Sequence, residues 1–120
     1  ALHLHDYLAA ERARMDIGAY FKSLLDEYDI LVTPTTAMTA FDAGVNMPQG
    51  RDGKFWDDWT PFTYGANLAK LPAASIPAGL TKSGLPVGLQ VMAGYLKDNL
   101  VLQTAAALER LIDFKPWSPQ

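Results

Sequence analysis

The 120-residue sequence contains no cysteine, and that absence removes disulfides, a thiol nucleophile and any thiolate metal site at once. It fits a cytoplasmic protein. Basic clusters are also absent: 10 Lys and Arg stand against 13 Asp and Glu, a net charge of -3 that disfavours nucleic acid or an anionic membrane as the main partner. No apolar run approaches the roughly 18 residues that a spanning helix needs. The start, with His3, His5 and Asp6, has neither the charged nor the long apolar region of a signal peptide. Repeats, low-complexity tracts and domain linkers are missing too. Gly50 and Gly53 lack the Gly-Lys-Ser/Thr ending that would cradle a phosphate. The first residue is not Met and the chain enters a helix abruptly, which reads as a truncation or an expression boundary.

What is present is globular: 49% hydrophobic and 19% charged, enough for one small domain. From about His5 to Tyr28, Leu8, Met15, Ile17, Phe21, Leu24, Leu25 and Tyr28 recur near three-four spacing and predict one long helix. Ile30 to Thr33 is a short buried strand ended by Pro34. Residues 35 to 58 are irregular, a length typical of binding loops. Thr60-Pro61 predicts an N-cap and first helical residue, opening a helix to about Ala69. Ala73 to Ala78 and Val87 to Ala93 are two strands close in space, joined by a polar link between Gly79 and Gly84. Pro77 belongs at an edge, an end or a bulge, because it cannot donate to a ladder. Gln90 is expected to be buried with its amide satisfied. Asp98 caps a last helix, with Val101, Ala105, Leu108, Leu111 and Ile112 inward. The class is α/β: a few strands of a mixed sheet flanked by helices.

The chemistry-bearing residues are sparse. His3, His5 and Asp6 offer at most part of a metal set and read more simply as a solvated terminus, so no metal is expected. Adjacent Asp57 and Asp58 point apart and do not share a proton. The serines are Ser23, Ser75, Ser83 and Ser118, none in a Gly-x-Ser-x-Gly or Ser-x-x-Lys context. Ser75 reads as a structural strand residue. Phe55, Trp56, Trp59, Phe62 and Tyr64 form an aromatic cluster that suits a pocket lining, a core or an interdomain patch.

Three blocks in order resemble the amidase-signature family over nearly the whole chain. They are Tyr28 to Thr35 with the preceding helix carrying Tyr7, Ala10 and Arg12, then Asn67 to Gly79, then Gly84 to Gln90. The resemblance is to the C-terminal part of these enzymes and implies residues 1-120 as a single incomplete domain. It implies a hydrolase acting on a small-molecule carboxylic amide through a serine nucleophile, a second serine in a cis peptide bond and a lysine, with no cofactor. That triad belongs to a Gly/Ser-rich region upstream, and no such run occurs here, so no catalytic residue is assigned and the chain alone is expected to be inactive. The missing N-terminal part of the enzyme is an implied partner.

Glutamine-using relatives, the A subunit of glutamyl-tRNA(Gln) amidotransferase, carry an acidic residue seven positions before the Asn. Here that position is Thr60, which cannot pair with an α-ammonium. Thr60, Trp59 and Trp56 are therefore the candidate substrate-binding residues, bordering an acyl pocket for an uncharged or partly apolar amide. Two other readings stand beside it: the amidotransferase component, and a non-catalytic interaction module. Strands cut from a larger sheet leave open edges, so a homo-oligomer is expected.

Overall fold

The structure is a computed structural model, and it describes residues 2-48 and 59-115. Six elements follow in chain order: α1 (Leu4–Glu27), β1 (Ile30–Pro34), α2 (Pro61–Ala69), β2 (Ala73–Leu80), β3 (Pro86–Ala93) and α3 (Asp98–Ile112). The predicted order of helices and strands is the observed one. The strands form one sheet in the order β1-β3-β2, and both pairings are antiparallel. No parallel pairing of the expected mixed sheet occurs among the described strands.

Strand β3 lies at the centre and supplies more of the core than any other element. Gln90, Val91, Met92 and Ala93 are all buried. Alternation along the strands gives each face its set. Leu31, Thr33, Ser75, Gln90 and Met92 share one face through the pairings Thr33–Gln90, Ser75–Gln90 and Leu31–Met92. Ile76 and Val91 share the other face, and α3 lies against β2 and β3. Pro77 sits where the sequence allows it, on edge strand β2 beside a register shift between Pro77 and Gly79. Gly79 and Gly84 both have positive φ, 133° and 82°, which glycine adopts without the Cβ penalty. They turn the chain between β2 and β3.

Helix α2 crosses α1 closely at Gly65. A Cβ there would stand 2.5 Å from Phe21 Cζ, so glycine lets the ring lie against the α2 backbone. α2 ends at Lys70, in the left-handed conformation. Gln90 fastens the start of α2 to the sheet: its Nε2 donates to Phe62 O at 2.8 Å and to Thr33 Oγ1 at 3.0 Å. The expectation of a buried, satisfied glutamine holds.

Several finer expectations fail. In α1 only Leu25 is buried, and Leu8, Met15 and Tyr28, read as inward, are exposed. In α3 the inward residues are Val101 and Ala105, while Leu111 is 80% exposed. Periodicity finds an apolar stripe but not what covers it. Lys97, not Asp98, is the residue preceding α3, and Asp98 opens the first turn, where its charge still suits the helix N-terminus. The radius of gyration is 17.2 Å, against about 14 Å for a compact domain of this length.

Candidate functional site

Of the residues singled out by sequence, Trp59 and Thr60 lie ahead of α2, and Trp59 is tied through Ala37 to the end of the sheet where β1 ends and β3 begins. Thr60 precedes α2, with Pro61 as its first residue. Its hydroxyl makes no bond to the helix end. Thr60 O instead accepts from Thr63 N at 3.1 Å and from Thr63 Oγ1 at 3.0 Å. Trp59 is half-buried. Its carbonyl accepts from Ala37 N at 3.1 Å, and its ring meets Phe41 edge-on at 5.2 Å between centroids. Trp56 and Phe55, together with Asp57 and Asp58, lie outside the described residues.

The aromatic cluster therefore divides. Trp59 turns to Phe41, whereas Phe62 lies with Tyr20, Phe21 and Met92 along an apolar groove between α1, α2 and the sheet. A cleft of ≈ 200 Å³ opens between residues 36-39 and the start of β3, at Pro86, Val87 and Gly88. It is joined to Trp59 through Ala37. Phe41 and Ala37 were not individually legible; the only signal for them was the length of the irregular stretch that holds them.

No serine in the described residues is set up as a nucleophile. Ser23 Oγ donates to Tyr20 O at 2.8 Å, Ser83 Oγ pairs with Thr81 Oγ1 at 2.9 Å, and Ser75 Oγ pairs with Thr35 Oγ1 at 2.6 Å. None of these partners is a base, as proton abstraction from the hydroxyl would need. Ser118 lies outside the described residues. Among the described residues no group of His and carboxylates is placed to hold a metal. His3 N instead donates to Asp6 Oδ2 at 3.0 Å in the first turn of α1, and His5 Nδ1 lies 3.4 Å from Asp6 Oδ1. A perturbed ionisable group lies away from the cleft, on α1: Arg14 is pushed above its ordinary range by its hydrogen bond to Glu11 and by that carboxylate's charge. No helix among the described residues is long and apolar enough to cross a membrane.

Comparison with known proteins gives the geometry its context. A family model described as Amidase matches residues 1-102. The chain belongs to the amidase-signature family. It is 35% identical over 95% of its length to the A subunit of the glutamyl-tRNA(Gln) amidotransferase of Halothermothrix orenii, covering 23% of that protein. It is 37% identical over 91% of its length to an acylamidase of Rhodococcus erythropolis, again covering 23% of that protein. Among solved structures, a bacterial aryl acylamidase of the amidase-signature family superimposes on 97% of the chain with a TM-score of 0.78 at 29% identity, the match covering 24% of that structure. The chain thus spans about a quarter of the length of these amidase-signature relatives.

Proposed function

We propose that these 120 residues form the C-terminal part of a serine amidase that hydrolyses an uncharged carboxylic amide to acid and ammonia or amine. In this reading the chain is one incomplete domain of the enzyme. The attacking serine, the bridging cis serine and the lysine base come from polypeptide outside it. The observation that carries the reading is the pairing of an amidase match across residues 1-102 with described serines that have no base.

Trp59, Trp56 and Thr60 form one wall of the acyl pocket. Thr60 offers a hydroxyl at the mouth of α2 that is not spent on capping. It offers no charge, and a free amino acid would leave its α-ammonium unpaired there at a cost of about 1–3 kcal/mol or more. The Trp59–Phe41 pair presents apolar, edge-on ring surface suited to an aromatic or aliphatic acyl group. Likeness to the acylamidase of Rhodococcus erythropolis supports this choice.

The second reading is the amidotransferase component, favoured by the 35% identity to the Halothermothrix orenii protein. The two readings separate on one assay. An enzyme that joins this segment to the serine- and lysine-bearing region is offered an aromatic amide, an aliphatic amide and glutamine. The proposal expects turnover of the first two, little of glutamine, and a gain on glutamine in Thr60→Asp. Glutamine as the preferred substrate of the unaltered enzyme, or no change in preference in Thr60→Asp, overturns it.

A further inference from the structure

A hydroxyl bridge spans the middle strand of the sheet next to the cleft. Thr35, just past β1, and Ser75, on β2, lie on opposite sides of β3, yet their side-chain oxygens are 2.6 Å apart. They meet above Gly88 of β3. A Cβ on Gly88 would stand 2.6 Å from Thr35 Oγ1 and 2.9 Å from Ser75 Oγ, closer than real Cβ contacts come. Glycine at 88 therefore makes the room in which the bridge exists. Gly88 O also accepts from Thr35 N at 3.0 Å, so backbone and side chain of Thr35 are both held at one point.

From Thr35 the connections run toward the proposed pocket. Ala37, two residues on, donates to Trp59 O, and Phe41 packs edge-on against the Trp59 ring. Thr36 Oγ1 donates to Met38 O at 2.8 Å and shapes the turn between. The stretch 35-41 is thus tied to the sheet at Thr35 and to Trp59 at Ala37 and Phe41.

We infer that the Thr35–Ser75 bridge over Gly88 is a positioning device: it fixes the stretch 35-41 and, through Ala37 and Phe41, sets the orientation of the Trp59 ring. Thr35, Ser75 and Gly88 are positioning residues and touch no substrate in this arrangement. Only the kinetic consequence rests on reading Trp59 and Thr60 as a pocket wall.

The test uses the protein labelled with 5-fluorotryptophan, with the Trp59 fluorine resonance assigned by its loss in Trp59→Phe. Thr35→Val keeps the side-chain shape and removes the hydroxyl. It is expected to move or broaden the Trp59 resonance beyond its linewidth while far-ultraviolet dichroism and the melting temperature stay near those of the parent. Ser75→Ala is expected to do the same. Thr35→Ser, which keeps the hydroxyl, is expected to restore the parent spectrum. A Trp59 resonance unmoved in both Thr35→Val and Ser75→Ala overturns the inference, as does a Thr35→Ser spectrum as disturbed as that of Thr35→Val. In the enzyme carrying the serine and lysine region, Thr35→Val is expected to raise KM severalfold more than it lowers kcat. A moved resonance with unchanged KM would leave the positioning intact and remove Trp59 from the pocket.

Discussion

Met92 and Met15 are the same residue type in two regions with opposite surroundings. Met92 lies in β3, 2% exposed, between strands and beneath the α1–α2 pair. Met15 lies in α1 at a position whose spacing also reads as inward, and it is 68% exposed. Leu4 and Leu8, nearer the start of the helix, are exposed with it. β3 is surrounded by elements of this chain, whereas the first half of α1 carries an apolar stripe that nothing among the described residues covers. A hydrophobic period reports that a face is made to be buried, and does not say by what.

The contrast can be broken most forcefully at the methionines. Met92→Ala is expected to cost about 2–5 kcal/mol as lost packing and cavity, and Met15→Ala less than about 0.5 kcal/mol. Denaturant midpoints at one fixed protein concentration check both. Equal losses would mean that α1 is covered in solution, for instance by another copy of the chain.

Gln90→Leu comes next. It removes the donor to Phe62 O and Thr33 Oγ1 and leaves both without their partner. A loss of about 1–3 kcal/mol is expected from such orphaned groups. The glycines of the two regions sharpen the comparison further. Gly65→Ala pushes its methyl into Phe21 and is expected to lose about 1 kcal/mol net, overpacking outweighing the gain in helix propensity. Gly18→Ala meets nothing within 4 Å and is expected to gain about 0.5–1 kcal/mol. Opposite signs in the same unfolding experiment would support the assignment of covered and uncovered faces. The smallest effect is expected at the exposed Lys22–Asp26 pair on α1, where Lys22→Ala should cost about 0.3–0.5 kcal/mol, less in high salt.

Element order was legible because the sequence punctuates it. Pro34 ends β1, Pro61 opens α2, and Gly79 and Gly84 flank the turn between β2 and β3. The burial of Gln90 followed from the rule that an amide in an apolar strand must be paired, but its partners, 57 and 28 residues away, come only from the folded chain. For the candidate site, sequence singled out residue types, and their role in binding belongs to the proposal. Thr60 and Trp59 are neighbours in the chain and Trp59 bonds Ala37 of the cleft, while Phe41 and the Thr35–Ser75 bridge depend on contacts that carry no local pattern. The inward reading of Leu8, Met15 and Leu111 failed because coverage is a tertiary property.

Among the described residues no further strand pairs with the outer edges of β1 and β2 and nothing covers the apolar stripe of α1, and such surfaces favour self-association of the chain on its own. Sedimentation is expected to find dimers or larger species, and a clean monomer would argue that these surfaces are harmless in water.

The most direct test of the central claim, that this chain is one wall and scaffold of an amidase without its nucleophile, is amide hydrolysis measured for the chain alone and for the chain joined to the serine- and lysine-bearing region. The account predicts no turnover above background from the chain alone and hydrolysis of an uncharged amide by the joined enzyme. Turnover by the chain alone, abolished in Ser75→Ala, would contradict it.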